Sequence, residues 1–198
     1  MRLVIASNNA HKVREIREIL AGLFPDIRTL AEAGLAIDVV EDGETFAENA
    51  VKKAEEVLAK TDFDAALADD SGLAVDALFG APGVRSARFA GEGHDDAANN
   101  RKLMETMRGV PDEKRGCRFV SAVALARRDK PTLVAEGSVE GRLLTAPRGG
   151  NGFGYDPYFF YEPLEKSFAE LSADEKNAVS HRKRALTNLK MMLERESS

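Results

Sequence analysis

Two rhythms of apolar and polar positions run through the chain, and the change from one to the other marks its elements. Residues 3–6 (LVIA) form an apolar run of strand type, too short for a helix. The following NAHKVREIREILAGLF sets Val13, Ile16, Leu20 and Leu23 at helical spacing with charges between them. A weak strand is expected within residues 35–41 (LAIDVVE). Thr45 and Glu48 then form a T-x-x-E capping box that opens the helix FAENAVKKAEEVLAK. Residues 65–69 (AALAD) read as a buried strand, and 72–78 (GLAVDAL) as another or its continuation.

The glycine-rich segment 80–93 is predicted to be irregular, and residues 95–109 a helix capped by Asp95 and stopped by Gly109. Residues 118–128 and 132–141, joined by DKP, read as an antiparallel pair of long strands. A loop at 146–157 and a short strand at 158–161 precede a C-terminal helical stretch, opened by a second capping box of Ser172 with Glu175. Strands and helices alternate at first and a strand pair then interrupts them. This predicts an α/β fold with a mixed sheet covered by helices, in one continuous domain over residues 1–198.

Composition narrows the class. No run approaches the roughly 18 apolar residues of a membrane span, and the N-terminus has too few apolar residues for a signal-peptide core. The single cysteine, Cys117, excludes an internal disulfide and disfavours a cysteine-based zinc site. A cytoplasmic protein is therefore expected. A net charge of −5 argues against a general nucleic-acid or anionic-membrane surface, although a local basic pocket or a divalent cation still admits a small polyanion.

Four stretches carry candidate chemistry. In SNNAHK (Ser7, Asn8, Asn9, Ala10, His11, Lys12) a strand runs into small polar residues and then into a helix with a lysine in its first turn. Free N–H groups and the helix dipole favour an anion there; the plainer reading is that Ser7 and Asn8 cap the helix and Lys12 is solvated. In EDGETFAENAVKKA the capping box accounts for Glu48, whereas Glu41 has no local explanation and is the better ligand candidate; Lys53 lies two turns inside the helix.

In ADDSG, two acids abut an apolar run at a strand end. Neighbouring strand residues point to opposite faces, so Asp69 and Asp70 are expected to have different tasks, with Asp70, beside Ser71 and Gly72, facing a cleft. In GGNGFGYDP, Phe153 and Tyr155 offer stacking faces around Gly154, and Asp156 can accept from a base edge. Lys176, His181 and Arg182 can donate to carbonyls or phosphates. On one unbroken helix Lys176 and His181 would point about 140° apart, so sharing a ligand requires a break near Ser180. The bland alternatives are a turn signal for DSG and a basic surface patch for HRKR.

Taken in order, SNNAHK, ETFAENAVKKA, ADDSGLAVDALFGAPGVRSARFAG, GGNGFGYDPYFF and ELSADEKNAVSHR closely resemble the non-canonical purine nucleoside triphosphate pyrophosphatases, the dITP/XTP and inosine triphosphatase family, across essentially the whole chain. The resemblance implies a long central mixed sheet flanked by helices, two lobes with an active-site cleft between them, and a homodimer. It implies Mg2+-dependent hydrolysis of ITP, dITP or XTP to the monophosphate and pyrophosphate. It also implies that Glu41 and Asp70 hold the metal, with Asp70 as proton acceptor. Residues 7–12 would bind the triphosphate with help from Lys53, and Ser71 would touch substrate. Residues 153–156 would cradle the purine, completed by Lys176, His181 and Arg182. Two rivals use the same residue types: a related pyrophosphatase with a different base pocket, and a non-catalytic nucleotide sensor.

Overall fold

The computed structural model describes residues 1–196. One seven-stranded mixed sheet runs in the order β2-β1-β3-β4-β5-β6-β7. Its strands are β1 (Arg2–Ile5), β2 (Asp26–Thr29), β3 (Ala65–Val75), β4 (Gly116–Arg127), β5 (Lys130–Leu143), β6 (Phe159–Tyr161) and β7 (Lys166–Ser167). The helices are α1 (Ala10–Leu20), α2 (Phe46–Ala59), α3 (Asp96–Thr106), α4 (Ala173–Val179) and α5 (His181–Glu196). β1 pairs in parallel with β2 and with β3, while β6 is antiparallel to both of its neighbours. Residues 65–69 and 72–75 thus belong to one strand, β3, buried throughout except at half-buried Ser71, whereas Asp76–Leu78, expected as strand, form a 3-10 turn.

The chain divides into two compact units whose boundaries fall inside β3, β4 and β5 and after the first residue of α5. The first holds Met1–Asp70, Ser121–Gly137 and the described residues from Arg182 on. Its core lies on both faces of the sheet. On one face Leu67 packs with Ile16 and Leu20 of α1 and Leu186 and Leu189 of α5. On the other, Ala66 and Ala68 pack with Ala50, Ala54 and Val57 of α2. Side chains of odd number in this half of β3 therefore face α1 and α5, and those of even number face α2.

Two local expectations about this unit are corrected. Residues 35–41 form no strand. Leu35, Ile37 and Val39 do turn inward against the α2-side cluster, but period-two burial needs only a surface to lie on and not a hydrogen-bonded partner. The edge beside β1 belongs instead to β2, whose single strongly apolar residue, Ile27, left no alternation to detect. The cap of α1 is Asn9, not Ser7 or Asn8: its side chain accepts from the N–H groups of His11 and Lys12. The capping boxes of α2 and α4 form as the sequence predicts.

The second unit comprises Ser71–Val120 and Ser138–His181. Phe119, Phe159 and Phe168 form its aromatic centre, with ring centroids 4.6 to 5.8 Å apart, beside Leu73, Val75, Leu103 and Met107. Segment 80–93 contains a six-residue 3-10 helix, Gly83–Arg88, held to β3 by Ser86: its Oγ accepts from the Leu73 N–H at 2.9 Å and donates to the Gly83 carbonyl at 2.6 Å. A Cβ at Gly72 would sit 2.6 Å from the Gly83 carbonyl oxygen and strike Ser86 Oγ. Gly72→Ala is accordingly expected to lower the unfolding free energy by about 1–3 kcal/mol through overpacking, read as a reduced urea midpoint with an unchanged slope.

Candidate active site

The alternation along β3 separates the two adjacent acids. Asp69 follows the parity of Leu67 and meets α1 and α5. Its carboxylate accepts from Ser121 Oγ at 2.5 Å, lies 2.9 Å from Lys12 Nζ and 3.2 Å from Arg182 Nη2. The other terminal nitrogen of Arg182 pairs with Glu15 of α1. Glu15, Arg182, Asp69 and Lys12 are thus a chain of alternating charges that sums to zero, and Asp69 and Arg182 are each about 1% exposed. Burial alone would raise the Asp69 carboxyl, but Arg182, Lys12 and the Ser121 hydrogen bond outweigh it and hold it well below the ordinary carboxylate range. Asp69 is an anchored counter-ion.

Asp70 follows the parity of Ala68 and meets α2. Asn49 Nδ2 donates to its Oδ2 at 3.0 Å, while the Asn49 oxygen accepts from the Gly43 N–H at 2.8 Å. Gly43 admits this close approach because a Cβ there would lie 2.7 Å from Asn49 Oδ1. Lys53, one turn beyond Asn49 on the same face of α2, pairs with Glu41. Burial lifts the Asp70 carboxyl above its usual range and the Glu41 charge adds to that, against opposing pulls from Lys12, Lys53 and the Asn49 bond. The charges of Lys12, Glu41 and Lys53 thus act on Asp70, and all four residues lie within the first unit.

The donor set fits a small hard cation. The two acids of this group, Glu41 and Asp70, bear on each other's charge, and among the described residues no group of three or more His, Cys, Asp or Glu is placed to hold a metal. Such a pair suits Mg2+, which binds through one or two carboxylates and draws its other ligands from water and phosphate. The tip of α1 differs from the simple anion cradle: the Asn9 side chain already engages the N–H groups of His11 and Lys12, and the Asn9 N–H donates to Ser7 Oγ at 3.2 Å. Asn8, Asn9, Ala10 and His11 are exposed and Ser7 half-buried.

The second unit holds the other expected residues. Asp156 is buried, and its Oδ2 accepts from the Phe153 N–H at 2.9 Å and from Lys176 Nζ at 2.6 Å. Lys176 Nζ lies over the Phe153 ring, 4.5 Å from its centroid. Asp156 is thereby tied to Lys176 and the loop backbone through Oδ2. Gly152, at φ +76°, leaves the room this carboxylate needs.

Tyr155 is also corrected as a stacking face. Its ring is buried in the aromatic core and its hydroxyl donates to the Ser86 carbonyl at 2.8 Å; burial raises that phenol, and Phe153 keeps the only half-exposed ring of the pair. The helix break expected near Ser180 is present: α4 ends at Val179, Ser180 is extended at φ −67° and ψ 154°, and α5 begins at His181. His181 stacks on Phe119 at 4.9 Å. Arg182, in the first unit, pairs with Glu15 and Asp69.

Sequence reasoning missed Glu15, Asn49 and Ser121. A usable signal existed for the first two, since Glu15 follows Lys12 by three residues and Asn49 precedes Lys53 by four, each pair sharing a helix face.

The sequence profile of the Ham1 family matches residues 3–192. A dITP/XTP pyrophosphatase of Clostridium perfringens is 50% identical over 194 residues, covering 96% of this chain and 95% of the relative. The Ham1 protein of Staphylococcus aureus superposes with a TM-score of 0.88 at 39% identity, over 99% of this chain and all of that one. The nucleoside-triphosphatase / dITP/XTP pyrophosphatase of Mycobacterium abscessus gives 0.77 at 44% identity, over 96% and 98%. A profile match over nearly the whole length, together with relatives at such identity, shows that this chain belongs to the Ham1 family.

Proposed function

We propose that the protein hydrolyses the α–β phosphoanhydride of non-canonical purine nucleoside triphosphates (ITP, dITP and XTP), yielding the monophosphate and pyrophosphate. The observation that carries this reading is the buried carboxyl of Asp70, held by Asn49 and acted on by the charges of Lys12, Glu41 and Lys53. Acids alone repel a polyphosphate; acids interleaved with lysines suit one that arrives with a divalent cation. Glu41 and Asp70 would hold Mg2+, which when bound neutralises phosphate charge and orients the anhydride for in-line attack.

Asp70 accepts the proton of the attacking water, and its raised proton affinity brings it nearer to neutral pH, where a base is most useful. Lys12, fixed by Asp69, and Lys53 neutralise phosphate oxygens. In the second unit, Lys176 is aimed by Asp156 and is the donor for a purine 6-oxo group, with Phe153 as the apolar surface beside it. Adenine has an amino group at that position and leaves a buried donor unpaired, at a cost of about 1–3 kcal/mol for each lost bond. The reading extends to Ser71 and residues 7–12 as substrate contacts and to a cytoplasmic homodimer, which sedimentation of the purified protein would register as twice the chain mass. Among the described residues no helix is long and apolar enough to cross a membrane.

The test is pyrophosphate release from ITP, dITP, XTP, GTP, ATP and UTP, with Mg2+ and with excess EDTA. Release from the 6-oxo, non-guanine substrates at least about tenfold faster in kcat/KM than from ATP, and lost with EDTA, is expected; a tenfold ratio needs only about 1.4 kcal/mol of discrimination. Binding of ITP without release of pyrophosphate would identify a sensor instead.

A further inference from the structure

Helix α3 is an unusual element of the second unit because polar side chains do much of its docking. Its buried residues are Asn99 and Leu103. Asn99 accepts from the Ala90 N–H at 2.6 Å and donates to the Ala87 carbonyl at 3.0 Å; Lys102 Nζ donates to the Phe89 carbonyl at 2.5 Å. These bonds hold the end of the 3-10 helix and the residues just after it. The other two grip the loop that carries the candidate base-binding residues. Asp96 Oδ2 accepts from the Gly154 N–H at 2.7 Å, and Asn100 Nδ2 donates to the Gly154 carbonyl at 2.8 Å.

Both backbone polar groups of one residue are therefore held by two side chains a helical turn apart, and Gly154 itself is at φ +61°. Asp95 caps α3 through the Ala97 and Ala98 N–H groups, which leaves the Asp96 carboxylate available to the loop. Gly154 stands between Phe153, whose N–H is bonded to Asp156, and Tyr155, whose hydroxyl is tied to Ser86. Asp156 in turn holds Lys176. Fixing Gly154 thus fixes the loop from which both the Phe153 ring and the Asp156–Lys176 pair are presented.

We infer that Asp96 and Asn100 are positioning residues for purine selection, a two-point clamp on Gly154 that sets the geometry of the base-reading loop. This rests on the pyrophosphatase reading and adds residues that neither touch the phosphates nor carry the chemistry. A base is discriminated by donors held in place before it arrives, so a loosened loop gives up base-specific affinity while the phosphate end keeps its own.

The experiment compares Asp96→Ala, Asp96→Asn, Asn100→Ala and Asn100→Asp with wild type in steady-state kinetics on ITP and GTP. Competitive inhibition by inorganic triphosphate, which has no base, is measured alongside. Both alanine variants are expected to raise KM for ITP about tenfold, the equivalent of one lost charge-assisted or amide hydrogen bond, while kcat falls less than about threefold. The ITP-over-GTP preference should shrink, and the inhibition constant of triphosphate should stay within about twofold of wild type, since that probe reads phosphate contacts alone. Asp96→Asn, which keeps an acceptor oxygen for the Gly154 N–H, should restore most of the loss. Asn100→Asp, which sets an acceptor against the Gly154 carbonyl, should be at least as impaired as Asn100→Ala.

The inference is overturned if KM for ITP is unmoved in the alanine variants, if ITP, GTP and triphosphate weaken by one common factor, or if Asp96→Asn is no better than Asp96→Ala. A wild-type protein that releases pyrophosphate from no purine triphosphate overturns the pyrophosphatase reading first, and this inference with it; a working wild type with indifferent variants overturns this inference alone.

Discussion

Asp70→Asn should reduce pyrophosphate release from ITP by at least about 10²–10⁴-fold, the usual worth of a positioned general base, while ITP binding changes only a few-fold. The substitution keeps the shape of the side chain and removes its charge, so the attacking water loses its proton acceptor and the proposed metal loses a ligand. Stability should respond in the opposite sense. The Asp70 charge is disfavoured in the fold by burial and by Glu41, so the neutral amide is expected to leave the thermal midpoint unchanged or raise it. The check is a pair of measurements on one preparation: turnover by pyrophosphate assay and melting by calorimetry. Retained turnover would remove Asp70 from the chemistry, and a sharp fall in melting temperature would make it a structural acid.

Asp69→Asn, one residue earlier, should do the reverse to the fold. This carboxylate balances Arg182 and Lys12 in a buried chain of charges. Removing it leaves Glu15 as the remaining acid of the quartet against two cations. Breaking a buried pair typically costs about 3–5 kcal/mol. In a chain of this size each kcal/mol moves the midpoint by about 2–4 °C, so a fall of about 6–20 °C is expected. Lys12 also loses its anchor, so KM for ITP should rise. An Asp69→Asn protein melting with wild type would show that the quartet contributes nothing to stability and that Ser121 alone satisfies the site. Neighbours in sequence and identical in chemistry, the two aspartates should thus be told apart by one assay each.

Their separation is legible in the order of residues, because the period of a strand sends adjacent side chains to opposite faces. What each face contains is not. Nothing in that order states that α1 and α5 cover the odd side of β3 and α2 the even side. The partners of Asp69 stand 52 and 113 positions away, at Ser121 and Arg182. Arg182 shows the same limit: grouped by sequence with Lys176 and His181, it is the second residue of α5 and pairs its guanidinium with Glu15 and Asp69. Glycines around Tyr155 suggest a surface for a base, yet its hydroxyl meets a carbonyl in the core. Residues 35–41 keep the alternation of a strand without a neighbour to bond, and four residues with little pattern, Asp26–Thr29, become one because β1 offers them an edge.

By itself, then, the order of amino acids determined what acts over a few residues: the capping boxes at Thr45 and Ser172, the helix break at Ser180, and the acids at the end of a buried apolar run. The tertiary structure alone decided which charges neutralise which and which side chains are spent on the fold. The reason is that dihedral and periodic preferences are local along the chain, whereas Coulomb attraction and burial depend on distance in space, which the packing of helices onto the sheet decides.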